Sequence, residues 1–557
     1  MGSTILVYAL AGGAALAILR KLQVRLRLSR AKHPSLQGHV RLGRWIARRL
    51  PYYEYGEQRF FRCDDAPEAL AAQRRAGFER LVQYFREHAP QSVDLSHTLQ
   101  SGVSDARFTN AYRVPFQFRR YVQSQLPVGT VVTASSGTRV QDLDGNWAYD
   151  LSGSYGVNVL GYDFYKECLA RGVARAQALG PVLGSYHPVV ADNVARLQRI
   201  SGLDEVSFHM SGTEAVMQAV RLARYHTGRT HLVRFAGAYH GWWDGVQAGV
   251  GSQRPARDVY TLRDMDPASL KVLRTRKDIA CVLVSPLQAL HPNKAPPGDA
   301  ALVNSERNAH FDHAAYSRWL HALRDVCSGR GIALIVDEVF SGFRLAYGGA
   351  QEHFGVEADL VTYGKSLGGG LPVGVLCGRR RLMNRFRDQR PADICFARGT
   401  FNAHPYAMTC MNEFLRRLDE PEVRNHYERV HAVWDTRTRA LNDALCSREL
   451  PLRVANLASI LTVLYTVPGR YNWLFQYYLR AQGLALPWTG TGRLIMSHDY
   501  SEADFDVVKE RFVGAAQAMQ ADGWWWQSPG LTNRTIKRQV LGEMLAARLG
   551  RCPERPR

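Results

Sequence analysis

The pattern of apolar and polar residues is most regular in the middle of the chain. Between about residues 165 and 400, short apolar runs alternate with stretches such as EAVMQAVRLARYH, in which apolar residues recur every three or four positions. Short apolar runs are typical of buried strands, and the longer spacing is typical of helices with one buried face. The alternation predicts an α/β fold, a mostly parallel sheet with helices on both faces. The predicted strands include VSFHM, HLVRF, IACVLVS and IALIVDEV.

The regions on either side follow other patterns. Alternating apolar residues around Asp144 and Gly145 predict a β-hairpin with a tight turn, and helices with short strands after residue 405 predict a smaller α+β domain. We therefore expect five segments: an N-terminal anchor, basic segment and helical appendage at 1–120, the first part of the small domain at 121–165, the large domain at 166–404, the rest of the small domain at 405–520, and a basic tail at 521–557.

The N-terminus begins with an uncharged apolar run at residues 3–19, near the lower length limit for a membrane helix. Basic residues follow this run from Arg20 onward, whereas a cleaved signal would carry its charge before it. Because basic flanks stay on the cytoplasmic side, the run predicts a single N-terminal membrane anchor with a cytoplasmic catalytic body. The alternative is a buried helix or an interfacial one, since HVRLGRWIARRL has amphipathic spacing.

Composition narrows the class of protein. With 557 residues, 46% apolar and 22% charged, the chain is globular and not disordered. The net charge of +21 would suit nucleic acid, but arginines beside an apolar run are better explained by anionic lipid, so we expect no nucleic-acid partner. Nine cysteines occur without a CxxC pair or a zinc-like histidine spacing, which predicts reduced thiols and no metal site.

Two predicted strands end in residues that suggest one shared site. Asp337 lies near the end of IALIVDEV, and Lys365 follows the next strand and precedes SLGGG. Ligands of open parallel sheets bind at the carboxyl ends of the strands. An enzyme that uses pyridoxal phosphate (PLP) needs this pair, because a lysine binds the aldehyde as an imine and a carboxylate keeps the pyridine nitrogen protonated. Singly, each residue is more often a solvated loop lysine or a strand-end cap, and only the combination favours PLP.

The segment Ser211-Gly212-Thr213 lies between a predicted strand and a helix. Backbone N–H groups at a helix N-terminus bind anions, and the two hydroxyls add donors, so this segment would suit a phosphate. The alternative is a plain N-cap with Glu214 in the first turn.

A third segment, Tyr239-His240-Gly241, follows the next predicted strand. An aromatic ring there could stack on the face of a flat cofactor. Alone this signal is weak, because an aromatic residue beside glycine more often packs in a core or a turn.

In this order, the segments resemble those of class III aminotransferases of fold-type I, and most of all those of glutamate-1-semialdehyde aminomutase. The resemblance covers roughly residues 125–510 and rests on SGTEA, YHG, DEV with GFRLAYGGAQEHFGV, GK with GGGLPVG, and GTFNAHP. It implies PLP as the cofactor and a homodimer with shared active sites. Residue by residue, it implies Lys365 as the Schiff-base lysine, Asp337 as the pyridinium partner, Val339 under the ring, Ser211, Gly212 and Thr213 at the phosphate, Tyr239 stacked on the ring with His240 beside it, and Thr400 reaching the neighbouring subunit's phosphate.

The chain departs from the aminomutase pattern at two places in the site. The family's Glu-Pro is Ser285-Pro286 here, and the expected asparagine falls near Leu290, with Gln288 or Asn293 as substitutes. A carboxylate expected before the final strand is replaced by Gly490 or Thr491.

The expected function is therefore an aminotransferase that moves an amino group from a small-molecule donor to an aldehyde or ketone. The predicted anchor favours lipid or secondary metabolism, with an acceptor that is free, carrier-linked or lipid-linked. The alternative is glutamate-1-semialdehyde 2,1-aminomutase itself. A catalytically silent scaffold is disfavoured because Lys365, Asp337 and Thr213 all remain. Arg113, Arg119 and Arg344 are candidates for binding a substrate carboxylate, and the sequence does not rank them.

Overall fold

The structure is a computed structural model that describes residues 2–34, 38–126, 128–129, 131–247, 251–253, 257–290, 312–486 and 493–550, with side chains from Leu10 onward. Asn293, Gly490 and Thr491 lie outside the described residues.

The helices and strands are numbered in chain order. The helices are α1 Gly2–Ala31, α2 Val40–Ala47, α3 Glu57–Phe61, α4 Glu68–His88, α5 Pro90–Gly102, α6 Ser104–Tyr112, α7 Phe116–Gln125, α8 Tyr162–Ala176, α9 Val189–Ser201, α10 Gly212–Thr227, α11 Pro267–Thr275, α12 His313–Arg330, α13 Gly349–Phe354, α14 Arg380–Met383, α15 Pro405–Arg417, α16 Pro421–Cys446, α17 Phe475–Ala481, α18 Glu502–Ala521 and α19 Asn533–Arg548. The strands are β1 Val132–Ser136, β2 Arg139–Asp142, β3 Trp147–Asp150, β4 Glu205–His209, β5 His231–Phe235, β6 Val259–Leu262, β7 Ile279–Val284, β8 Ala333–Asp337, β9 Leu360–Gly364, β10 Gly374–Gly378, β11 Leu452–Leu457, β12 Ile460–Tyr465, β13 Leu484–Ala485 and β14 Arg493–Ile495.

The chain forms two compact units, each built from separate segments. Among the described residues, unit 1 contains 2–34, 38–48, 175–247, 251–253, 257–290 and 312–415, and unit 2 contains 49–126, 128–129, 131–174, 416–486 and 493–550. The domain boundaries predicted from the sequence stay predictions.

Unit 1 is built on a seven-stranded sheet of order β4-β10-β9-β8-β7-β5-β6. Neighbouring pairs from β9 through β6 are parallel, whereas β10 runs antiparallel to both β9 and β4. The α/β prediction is confirmed, and the sheet is mixed because of this one reversed strand. The predicted strands HLVRF, IACVLVS and IALIVDEV correspond to β5, β7 and β8.

The centre of this sheet is buried on both faces, which explains its continuous apolar runs. Every residue of β7, β8 and β9 is buried. Helix α10 packs against the sheet with a stripe that includes Ala215, Val216, Ala219 and Val220, the spacing of one helix face. Burying a valine or leucine side chain contributes about 1.5–3 kcal/mol of stability. This interface therefore stabilises the packing of α10 against the sheet.

Helix α1 contacts the rest of unit 1 at its C-terminal end. Ala31 is buried, the backbone N–H of Arg263 donates to its carbonyl at 3.0 Å, and Lys32 forms a β-bridge with Leu262. The side chains of residues 10–23 are exposed, as shown by Leu16 at 71%.

The predicted membrane-spanning anchor is not supported. Where the structure describes side chains, no helix is both long enough and apolar enough to cross a membrane. The physical reason lies in the second half of α1, where leucines and valines are interrupted by Arg20, Lys21, Arg25, Arg27 and Arg30.

Unit 2 holds two small sheets, β1-β2-β3-β13 and β11-β12-β14. The predicted hairpin is confirmed, with β2 and β3 antiparallel and Gly145 at a left-handed φ of 87° in the turn between them. Strands β12 and β14 are among the short strands predicted after residue 405.

The core of unit 2 joins residues that are far apart in the sequence. The Phe60 and Phe118 rings lie 5.5 Å apart, and the Tyr471 and Trp524 rings 4.9 Å apart. Buried Arg470 lies 2.7 Å from an Asp64 oxygen and 3.2 Å from a Glu543 oxygen. The N-terminal and C-terminal parts of unit 2 therefore share one core.

Candidate active site

Asp337 stands at the carboxyl end of β8 with its carboxylate held in place. The backbone N–H of Val339 donates to Oδ1 at 3.1 Å, and the hydroxyl of Thr362, on the neighbouring strand β9, donates to the same atom at 3.0 Å. The side chain is 6% exposed. These contacts orient the carboxylate toward the crevice beyond the strand ends, where ligands of such sheets bind.

His240 contacts the other oxygen of this carboxylate. Its Nδ1 lies 2.7 Å from Asp337 Oδ2, and the imidazole is fully buried. Its Nε2 is buried without a hydrogen-bond partner in the described part of the chain. The sequence suggested His240 only as a neighbour of Tyr239. Its contact with Asp337, 97 positions away, is a structural finding.

Lys365 follows β9 directly and adopts a left-handed backbone conformation with φ of 47°. This conformation is strained for a residue other than glycine. Burial lowers the pKa of the Lys365 amine, Asp337 opposes that shift, and Arg344 adds to it. A lowered pKa leaves more of the amine neutral, and the neutral form is the one that attacks a carbonyl. The amine lies 5.5 Å from the centre of the Phe340 ring.

The loop from β4 into α10 is closely packed against the residue after Asp337. Ser211 caps α10, with its hydroxyl accepting the backbone N–H of Glu214 at 3.3 Å. A Cβ added to Gly212 would lie 2.5 Å from Val339 Cγ1, so only glycine fits there. Gly241, at φ of 89°, is likewise closed to a side chain by Thr213. Residues 211–213 therefore pack against both Val339 and residues 239–241.

Tyr239 and Thr400 are the predicted site residues with the least support from the rest of unit 1. Tyr239 is 63% exposed, although partial burial of its hydroxyl raises the pKa and Asp337 adds to that shift. Thr400 is exposed and makes no hydrogen bond within the described residues. The structure therefore does not bring Thr400 into the site of its own unit.

The sequence did not identify two residues near the site, and it did not choose among the three candidate arginines. Thr362 donates to Asp337 and Phe340 lies beside Lys365, and strand alternation alone would not select either residue. Of the three candidate arginines, Arg344 is fully buried and acts electrostatically on Lys365. Arg113 and Arg119 belong to unit 2.

The segment after β7 shows what replaces the family's expected asparagine. Leu290 is fully buried and carries no polar group. Gln288 is also buried, and its side-chain amide donates to the carbonyl of Ala236, just after β5. Of the two possible substitutes for the expected asparagine, Gln288 is the one that lies within the described residues.

The family model of class III aminotransferases matches residues 121–491, more than half of the chain. The chain belongs to the class III aminotransferases.

Among its relatives is a protein named glutamate-1-semialdehyde 2,1-aminomutase from Alkaliphilus oremlandii, 35% identical over 319 residues, which are 54% of this chain and 69% of the relative. A solved structure described as a transaminase with PLP bound is 28% identical, with a TM-score of 0.59 over 72% of this chain and 92% of its own. A glutamate-1-semialdehyde aminomutase structure from Pseudomonas aeruginosa shares the fold, with a TM-score of 0.64 at 18% identity over 80% of this chain and 99% of its own.

This class III aminotransferase is a PLP-dependent enzyme. The residues of unit 1 fit that cofactor. A lysine with a lowered pKa and a fixed carboxylate stand after two adjacent parallel strands, and a glycine that tolerates no side chain lies beside Val339. Lys365, Asp337 and the 211–213 segment are the groups that could hold the cofactor's aldehyde, ring nitrogen and phosphate.

Proposed function

We propose that this class III aminotransferase moves an amino group from a small-molecule amine to an aldehyde or ketone, with Lys365 and Asp337 as its catalytic residues. The donor's amine becomes a carbonyl and the acceptor's carbonyl becomes an amine. The observation that carries the proposal is the lowered pKa of Lys365 at the same sheet edge as the Asp337–His240 pair.

Lys365 has two tasks in this proposal. Its neutral amine would hold the cofactor's aldehyde, and the same amine would take a proton from the carbon that bears the donor's amine. Burial supports both tasks, because a lowered pKa increases the fraction of the amine that is neutral and able to take a proton. The cofactor supplies an electron-accepting ring for that carbon.

Asp337 and His240 keep that ring in its electron-accepting form. The carboxylate of Asp337 would contact the ring nitrogen and favour its protonated state. His240 is a positioning residue, since its contact on Oδ2 and those of Val339 and Thr362 on Oδ1 leave the carboxylate one orientation.

The remaining cofactor contacts come from three loops. Ser211, Gly212 and Thr213 at the start of α10 would bind the phosphate, where the backbone N–H groups of a helix N-terminus favour an anion. Val339 would pack on one face of the ring and Tyr239 on the other.

The proposed assembly is a homodimer in which Thr400 completes the partner's phosphate site. Unit 1 supports it by exposing large apolar side chains, among them Trp242 at 75% and Phe396 at 70%. Exposed apolar groups of this size mark interaction surfaces. Thr400 lies four residues after Phe396 and has no partner in its own described surroundings.

The second candidate is glutamate-1-semialdehyde 2,1-aminomutase, which the name of the Alkaliphilus relative favours. The sequence opposes it, because Gly490 and Thr491 stand where the aminomutase pattern has a carboxylate. A mutase must retain its substrate through two steps, whereas a transaminase releases one product before binding the next substrate. We therefore place the transaminase first, and its use in lipid or secondary metabolism is a further part of the proposal.

Attachment of α1 to an anionic membrane surface is also part of the proposal, as is a cytoplasmic location for the body. Leu16, Ile18, Leu19, Leu22 and Leu26 are exposed on α1. The arginines of the same helix add attraction to anionic headgroups, on the order of 1 kcal/mol each. A carrier-linked or lipid-linked acceptor would follow from such attachment.

A substrate comparison separates the two candidates. The purified enzyme is supplied with glutamate 1-semialdehyde alone, and 5-aminolevulinate is measured. In parallel, the enzyme is supplied with a panel of amines and aldehyde or ketone acceptors, and the change of its absorbance from the aldehyde form to the amine form of the cofactor is followed. We expect little 5-aminolevulinate and clear conversion by at least one amine. Rapid formation of 5-aminolevulinate would establish the aminomutase instead.

A further inference from the structure

Unit 1 contains a cavity at the amino-terminal ends of β8 and β9. The proposed active site lies at the opposite, carboxyl-terminal ends of these strands. The cavity has a volume of about 630 Å³, within the range of small-molecule sites. Residues just before β8 and β9 line it, as do residues just after β10, which runs the other way. Ala333 lines the cavity and lies four residues before Asp337 in β8, so at about 3.3 Å per residue roughly 13 Å separate the cavity from Asp337.

Three arginines in this cavity share one buried carboxylate. Asp359, 4% exposed, lies 2.8 Å from an Arg324 nitrogen, 2.9 Å from an Arg381 nitrogen and 3.5 Å from an Arg379 nitrogen. Asp359 also accepts the backbone N–H of Leu334 at 2.9 Å. Each oxygen of Asp359 therefore contacts two donors, and its single negative charge faces the positive charges of three arginines.

The other acidic residue of the cavity does not remove this excess. Glu357 lies 3.3 Å from Arg379, but its side chain is 89% exposed, and an exposed ion pair of this kind contributes little. Its backbone carbonyl accepts from Arg324 at 3.4 Å. The cavity therefore keeps a surplus of positive charge around a concave surface.

The arginines also retain hydrogen-bond donors. Among the described residues, the side chain of Arg381 forms one hydrogen bond, from Nη2 to Asp359. Its Nε and Nη1 groups have no acceptor in this part of the chain. The side chain is 67% exposed, so these groups can reach a ligand. Ser328 adds a hydroxyl to the lining, whereas the hydroxyl of Thr227, which also lines the cavity, donates to the carbonyl of Ala223.

We infer that this arginine cavity, formed by Arg324, Arg379, Arg381, Asp359, Ser328 and Thr227, binds a small dianion that carries a phosphate group. Guanidinium groups match phosphate oxygens with pairs of parallel hydrogen bonds, which is why arginine predominates at such sites. The lining carries three arginines against the carboxylates of Asp359 and Glu357, so a surplus of positive charge remains for an anionic ligand. The site is separate from the phosphate segment at residues 211–213, which lies at the other end of the strands.

Isothermal titration calorimetry on the PLP-saturated enzyme, freed of excess cofactor, tests the inference. The titrants are inorganic phosphate, glycerol 3-phosphate and acetate, each at the same ionic strength set with chloride. We expect saturable binding of one phosphate-bearing ligand per chain and no comparable binding of acetate. Binding of inorganic phosphate alone would identify the free ion as the ligand, and tighter binding of glycerol 3-phosphate would indicate a phosphate ester.

Arg381→Gln is the decisive variant, and Arg380→Gln is its matched control. Arg380 is the preceding residue along the chain, is similarly exposed, lies 3.4 Å from Glu205 and does not line the cavity. Arg381→Gln should weaken phosphate binding by about tenfold or more, the loss expected for a charge-assisted contact. Arg379→Gln serves as a second variant.

Two results would overturn the inference. The first is the absence of saturable phosphate binding to the wild-type enzyme. The second is an equal loss of binding in the Arg380→Gln and Arg381→Gln variants, which would show general attraction to a basic surface. Because the inference concerns binding to the loaded enzyme, these results do not depend on the identity of the amine substrate.

Discussion

His240 Nδ1 lies 2.7 Å from Asp337 Oδ2, and both side chains are buried at the carboxyl edge of the unit 1 sheet. With Val339 and Thr362 on the other oxygen, the carboxylate is contacted from three directions. A strand-end cap does not require such fixation, whereas a group that must present its charge to a ligand in one orientation does.

Asp337→Asn should keep the fold and lose most of the turnover. The amide has nearly the same shape, but it cannot favour a protonated ring nitrogen, and the loss of such a charge costs on the order of 10²-fold in rate. The measurement is kcat with the best amine found in the substrate comparison, beside circular dichroism. Asp388→Asn, at an exposed position, is the control and should behave like the wild type. Unchanged turnover in Asp337→Asn would make this carboxylate structural.

Glu338 should make stability depend on pH between about 4.5 and 7. Burial raises the pKa of its carboxyl to about 7, although the backbone N–H groups of Ala350 and Gln351 donate to it. Between these pH values the folded chain holds a proton that the unfolded chain releases, so stability falls as pH rises. The contribution is on the order of 3 kcal/mol.

Urea unfolding of the wild type and of Glu338→Gln across this pH range measures the effect. The difference between the two proteins should change with pH up to about 7 and then level off. Ser341→Ala, which removes a hydroxyl that donates to Glu338 at 3.3 Å, should extend the change to higher pH. A constant difference between wild type and Glu338→Gln would show that Glu338 does not titrate in this range.

Thr400 should act on the site of the partner subunit, and mixed dimers test this. Lys365→Ala and Thr400→Asp should each be inactive alone, the second because its charge repels the cofactor's phosphate. When the two are co-expressed, mixed dimers contain one site with a native lysine and a native threonine, so about a quarter of wild-type activity should return. Thr400→Ser keeps the hydroxyl and should remain active. Absence of recovery would place Thr400 in its own subunit's site or outside any site.

Helix α1 should attach the protein to anionic membranes. Vesicles of phosphatidylcholine with phosphatidylserine should carry the full chain upward in a density gradient, and a variant lacking residues 2–19 should stay behind while still binding PLP. Retention at high salt would show that apolar side chains enter the bilayer, and release would show that the arginines alone hold the helix. Equal flotation of both proteins would exclude the deleted residues as the attachment.

The sequence predicts the sheet and the ends of its strands well, because parallel strands buried on both faces leave clear apolar runs. It does not show that β10 runs antiparallel, since a strand's direction leaves no pattern in its own residues. The aromatic residues around Phe60 and Trp524 likewise give no local sign that they share a core. Contacts between distant segments depend on the whole fold.

For the site, motif order predicts Lys365, Asp337 and the glycines beside them, and the structure places Lys365 and Asp337 at the ends of neighbouring strands. The His240–Asp337 contact and the support from Thr362 could not be predicted, because they depend on which strands become neighbours. The same limit applies to the arginine cavity, whose members come from four separate segments. Each of those arginines looks like an ordinary solvated residue in the sequence.

The covalent attachment of the cofactor tests the assignment of Lys365 most directly. Borohydride reduction of the wild-type enzyme, followed by proteolysis and mass spectrometry, should find the reduced cofactor on Lys365. Lys365→Ala should carry no such label and show no turnover, while Lys271→Ala, at an exposed lysine of the same unit, should match the wild type. A label on another lysine, or near-wild-type turnover by Lys365→Ala, would contradict the central assignment.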